Sequence, residues 1–192
     1  MTFDPGSHEY REDDGTIIPS VTQILKAAGV IDDRWYTAEA RDKGSAVHKL
    51  CERYAQGERL DKHDRPLRDL PYVNSFARWV DDYRPWAIAT EGRVYHKINV
   101  KSYAGTFDLL AAIQGKRALI DFKTGALAKW HAVQLAAYAM ARMVNKDGEI
   151  TGEFVNPDKI AVLYLKADGT YRYAPIPGSR FVEAIGEWKE YL

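Results

Sequence analysis

Two runs of apolar and β-branched residues, GTFDLLAAI and KRALIDFK, flank Gln114 and Gly115 and predict two antiparallel strands joined by a two-residue turn. A third run, from about Trp86 to Val100, predicts a strand before them, with Lys101 to Ala104 as the turn, so three strands form a meander. Helical spacing marks Ser20 to Gly29, where Ser20 and Gln23 form a capping box pattern, and a stretch from about Asp33 to Gln56. It also marks Pro71 to Pro85, through Val73, Phe76, Ala77 and Val80. The stretch from about Ala128 to Lys146 is apolar almost all round and predicts a helix buried against the sheet. Lys159 to Leu165 and Thr170 to Ile176 predict a second hairpin turning at Asp168 and Gly169. A closing helix then has Phe181, Val182, Ile185 and Trp188 on its inner face. Gly57 to Leu70, with His63, and Gly148 to Pro157 read as loops, and the residues up to Gly15 as a small hairpin or an extended arm. Helices, a meander, a crossover helix and more strands predict one α/β domain over residues 1–192: a mostly helical part to about residue 85, then a central mixed sheet flanked by helices.

Register carries the chemistry. If Gln114 and Gly115 are the whole loop, Ile113 faces Lys116, Leu110 faces Leu119, and Asp108 faces Asp121. Opposed like charges on neighbouring strands are destabilising unless something neutralises them, and a bound cation does so. Lys123, two residues past Asp121, returns to the same face. Leu109, Ile113, Ile120 and Phe122 are expected to bury the opposite face. The alternative is a surface hairpin with a charged face. Glu91, early in the first strand of the meander, either joins the aspartates or is an exposed strand charge. Arg93, Lys97 and Lys101 offer a phosphate-contacting fringe.

On the second helix, His48 and Glu52 share one face while Val47, Leu50, Cys51 and Tyr54 cover the inner side. Gly44 and Ser45, one turn earlier, are small enough for a backbone or a phosphate to approach. The buried helix keeps one polar stripe: His131, Gln134, Tyr138 and Arg142.

Composition narrows the picture. The 27 basic and 27 acidic residues cancel, so nucleic acid would be held by a local basic patch, not by bulk charge. A single cysteine, Cys51, excludes an internal disulfide and a four-cysteine metal site within one chain. The opening MTFDPGSHEY lacks the basic and apolar regions of a signal peptide, and no stretch approaches eighteen apolar residues, which points to the cytoplasm.

GTFDLL followed by IDFKTG, with QLAAY on the next helix and GSAVH upstream, resembles the PD-(D/E)XK nuclease superfamily, and within it the RecB-like, phage-type exonucleases. The resemblance runs from about Pro19 to the last strand. It implies a restriction-endonuclease-like core and metal-dependent DNA cleavage, most simply exonucleolytic and in recombination or repair. The alternatives are an endonuclease of the same superfamily and a DNA-binding relative without activity. It further implies that His48, in a Gly-x-x-x-His spacing from Gly44, joins Asp108, Asp121 and the backbone carbonyl of Phe122 in holding Mg²⁺ or Mn²⁺. Lys123 would position or deprotonate the attacking water or stabilise developing charge, with Glu91 as a further catalytic acid. Gln134 and Tyr138, matching a Gln-x-x-x-Tyr signature, together with Ser45 and Thr124, are the implied DNA contacts. The iron-sulphur branch of the superfamily is excluded by the lone cysteine. Related enzymes form rings or work beside a single-strand annealing protein.

Overall fold

In chain order the elements are β1 (Thr2–Asp4), β2 (Glu9–Arg11), β3 (Ile17–Ile18), α1 (Val21–Ala27), α2 (Ala38–Ala55), α3 (Leu70–Tyr83), β4 (Trp86–Ile98), β5 (Lys101–Ile113) and β6 (Lys116–Lys123). They continue with α4 (Trp130–Ala139), β7 (Arg142–Val144), β8 (Ile150–Phe154), β9 (Lys159–Leu165), β10 (Tyr171–Pro175) and α5 (Gly178–Tyr191). The structure, a computed structural model, describes residues 1–32, 37–58 and 70–192, apart from the side chains of Arg41 and Leu70. The expected start of the second helix at Asp33, and most of the expected charged loop with His63, lie outside the described residues.

Seven strands form one mixed sheet in the order β10-β9-β6-β5-β4-β7-β8, and β1, β2 and β3 form a small sheet of their own. The meander β4-β5-β6 is antiparallel, and β9 then runs parallel to β6. A parallel neighbour needs a crossover, which α4 and the β7-β8 hairpin provide. One sheet face is covered by α1, α4 and α5, through Leu25, Leu135, Ala136 and Trp188 against Tyr103, Leu110 and Leu119. The other is covered by α2 and α3, through Val47, Cys51, Phe76 and Trp79 against Leu109, Ile120 and Phe122. Helices on both faces of a large mixed sheet make this an α/β fold.

Local chemistry explains most boundaries. Ser20 and Gln23 close both halves of the capping box on α1, and Gly29, at φ +71°, ends it. Gln114 and Gly115 both have positive φ, 52° and 75°, as a two-residue turn matched to strand twist requires.

Four expectations are corrected. The turn before β5 sits at Asn99 and Val100, not at Lys101 to Ala104, because Asn99 accepts φ +57° and lets Lys101 to Ala104 pair with β4. The buried helix stops at Ala139, and Arg142 belongs to β7, where it pairs with Tyr95 while Met143 pairs with Val94. MARMV is apolar enough for either period, and pairing with β4 decides. The expected loop from Gly148 contains β8, which pairs back onto β7. Val182 is 69% exposed, so the inner face of α5 is set by Ala184 and Trp188, with Phe181 and Ile185 beside them.

Candidate active site

The β5-β6 ladder follows the expected register from Ile113 and Lys116 down to Leu109 and Ile120, and there it ends. One step further, Asp108 and Asp121 occupy the positions where the strands part. The Asp108 carboxylate takes over from the ladder: its Oδ2 accepts the backbone N–H of Phe122 at 2.5 Å. Its Oδ1 lies 3.1 Å from His48 Nδ1, projected from α2 over the end of the sheet. Asp108 and Asp121 are both buried.

Glu91 joins this group through a kink. It has φ +45°, unusual for a residue with a long side chain, in the middle of β4, and the backbone cost of that conformation is of order 1–3 kcal/mol. Ligand atoms of His48, Glu91 and Asp108 all lie within 4.8 Å of one another. Asp121 is turned elsewhere. Its Oδ2 is enclosed and sits 2.6 Å from Lys123 Nζ as an ion pair.

Charges in this group shape one another. Burial is the largest influence on Glu91 and, with the Asp108 charge, pushes its carboxyl up to about 7. Burial likewise raises Asp121, to about 6; Lys123 pulls it back and Asp108 adds to the rise. For Asp108, burial alone would raise the carboxyl, but the charge and hydrogen bond of His48, with Lys123 and the Phe122 amide, hold it below its ordinary value. His48 is opposed by burial and raised above its ordinary value by Asp108. Crowded acids of this kind are relieved by protons or by a cation. The donor set of His48, Glu91 and Asp108, one imidazole and two carboxylates, fits a divalent ion that takes oxygen and nitrogen ligands.

Beside the group lies a cavity of about 540 Å³ lined by His48, Lys123, Ser45, Thr124 and Gln134, so the expected DNA-contacting residues, apart from Tyr138, share one hollow. Gln134 and Tyr138 are buried on α4, and Gln134 Nε2 donates to Tyr138 Oη at 3.2 Å. Gln134 Oε1 is buried without a hydrogen-bond partner. The Tyr138 ring meets β5 through its edge: a Cβ on Gly105 would lie 2.4 Å from its Cε1, so only glycine fits there. Phe122 places its ring in the α2-α3 core and its amide on Asp108. The phosphate fringe is not brought together. Arg93 is mid-strand, held by the carbonyls of Asn145 and Lys146, while Lys97 and Lys101 flank the turn at the far end of the hairpin.

Two more side chains of α4 border the site, Trp130, which was not singled out from the sequence, and His131 of the polar stripe. Trp130 lies under Lys123, whose Nζ is 5.6 Å from the ring centroid. His131 Nδ1 lies 3.0 Å from Tyr164 Oη, and burial, with the Lys123 charge, pushes the imidazole down to about 3, so it stays neutral. A signal for Trp130 was present: Trp130, Gln134 and Tyr138 are spaced by four and share one helical stripe.

Comparison of the chain with models of known protein families and with curated proteins finds no match to either. Among the described residues no helix is long and apolar enough to cross a membrane.

Proposed function

We propose that the chain is a divalent-metal-dependent deoxyribonuclease with a restriction-endonuclease-like core, an exonuclease of the RecB-like branch of the PD-(D/E)XK superfamily acting in DNA recombination or repair. The observation that carries this reading is the break in the β5-β6 ladder, where Asp108, Glu91 and His48 converge while Asp121 meets Lys123 on the next strand. A structural ion pair needs no such convergence of two acids and a histidine.

The residues suited to hold Mg²⁺ or Mn²⁺ are His48, Glu91 and Asp108, with Asp121 adjoining them through its pairing with Lys123. When bound, such an ion would act as a Lewis acid on a phosphoryl oxygen and make water a better nucleophile. The chain supplies the rest. Lys123, steadied by the Trp130 ring and tethered to Asp121, places an ammonium where negative charge grows on the phosphoryl group. Neutral His131 behind it adds no competing positive charge. Gln134, Ser45 and Thr124 border the hollow in which the nucleotide beside the scissile bond would lie. Tyr138, lodged against Gly105, fixes the inner side chain of Gln134.

The test is a labelled linear duplex with Mg²⁺ or Mn²⁺. Wild-type protein is expected to release nucleotides from its ends and spare a closed circle. Lys123→Ala is expected to lose about a hundredfold or more of that rate while still binding metal. Undiminished cleavage by Lys123→Ala would remove this mechanism, and cutting of the closed circle would replace the exonuclease by an endonuclease.

A further inference from the structure

The candidate centre separates two hollows. On its Lys123 side is the 540 Å³ cavity, which also carries Lys26, Lys43 and Trp130. On its Glu91 side is a groove of about 1100 Å³ that runs along β4 from Glu91 to Trp86. Its walls are the C-terminal end of α2, at Glu52 and Gln56, and the segment from Met143 to Lys146. His48 lines the first hollow and Glu91 the second, and their ligand atoms lie within 4.8 Å of each other. The hollows therefore flank the centre on opposite sides. A polymer cut there must continue in two directions, and the larger groove is the one with length.

Its surface has the chemistry of a base-stacking track. Trp86 is 77% exposed, and Ile88 is 46% exposed. Ile88 sits at a bulge between the paired residues Ala87 and Ala89, which turns it away from the core. The outer edge of β4 is paired to β7 only at Val94 and Tyr95, but the bulge and the kink at Glu91 spoil it as a template for an added protein strand. Arg93 Nη2 donates to the carbonyls of Asn145 at 2.9 Å and Lys146 at 3.0 Å, which holds the guanidinium on the groove wall. Its other nitrogens have no hydrogen-bond partner among the described residues. The Glu52 carboxylate is already taken up by Lys49 and Gln56, and Gln56 also donates to Thr90 Oγ1 at 2.8 Å, fixing the α2 wall to β4.

We propose that this groove holds the unpaired strand of the substrate beyond the bond being cut, with a base stacked on Trp86 and a phosphate at Arg93 and Lys146. The inference rests on the nuclease reading above and adds to it a single-stranded substrate segment and the residue that grips it. An exposed indole suits unpaired bases because a duplex hides its base faces in its own stack. Five residue steps of strand take Trp86 to Glu91, roughly 15 Å, or about four nucleotides at stacked spacing. Shorter substrates do not reach Trp86.

The experiment compares a fifteen-nucleotide single strand with a dinucleotide, both with Mn²⁺, using the full chain and the variants Trp86→Ala and Trp86→Phe. Trp86→Ala is expected to raise KM for the long strand by about 5- to 100-fold with kcat little changed. Dinucleotide hydrolysis should be unaltered, and Trp86→Phe should restore most of the loss. An unchanged KM for the long strand in Trp86→Ala, with the dinucleotide still cleaved, overturns the groove assignment and leaves the nuclease standing. Failure of the wild-type protein to cleave either substrate overturns both.

Discussion

The two ends of the β5-β6 hairpin are made from the same pair of strands and behave in opposite ways. At the turn end, from Leu109 to Ile113, every residue is paired in register and almost all are buried and apolar. At the other end the ladder stops, and a carboxylate does the work of a backbone carbonyl by accepting the Phe122 amide. The regular end satisfies its polar groups locally, so packing alone holds it. The open end satisfies them with ionisable side chains, which crowds charge where a cation or a phosphodiester can enter. Two neighbouring stretches of one hairpin thus divide stability from chemistry.

Substitutions on each side sharpen that division. Asp108→Asn should cut metal-dependent cleavage by about 10²- to 10³-fold. The melting temperature of the metal-free protein should fall only modestly, because Asn can still accept the Phe122 amide but loses the charge that pairs with His48. A large loss of stability in that variant would mean that the open end is structural after all. At the regular end, Leu110→Ala should destabilise by about 2–5 kcal/mol in a denaturant titration. The folded fraction should keep its activity, and loss of activity out of proportion to unfolding would blur the contrast.

The smallest expected effect is on pH dependence. Glu91 and Asp121 are raised, to about 7 and about 6, so between pH 5 and pH 8 the folded state holds protons that the unfolded chain has lost. Stability of the metal-free protein then falls as pH rises through that window, and raised His48 acts in the same sense. Asp108, lowered, has already contributed its full share by pH 5. The expected loss is of order 1–2 kcal/mol, offset by added Mn²⁺. Thermal melts at several pH values with and without metal measure it, and stability that rises across the window would contradict these charge relations.

Much of this was legible in advance because its causes are local. The Gln114-Gly115 turn, the register from Ile113 and Lys116 down to Leu109 and Ile120, the apolar back of Leu109, Ile113, Ile120 and Phe122, and the capping box at Ser20 each depend on a few adjacent residues; the expected pairing of Asp108 with Asp121 lies just past the point where the ladder stops. The misread segments were those where local preference was nearly balanced. MARMV suits helix or strand, and pairing with Val94 and Tyr95 settled it. The left-handed kink that swings Glu91 toward Asp108 falls on Glu91 itself and not on the adjacent Gly92, where the sequence would place it.

The amino-acid sequence by itself determined which side chains could meet, since the two-residue turn and the pleat set alignment and face before any distant contact forms. Only the tertiary structure decided how they meet. Parting of the strands gave Asp108 the Phe122 amide and His48, turned Asp121 to Lys123, and set a groove with Trp86 beside Glu91. Those outcomes depend on helices packed from either side of the sheet, and long-range packing is not written in the spacing of neighbouring residues.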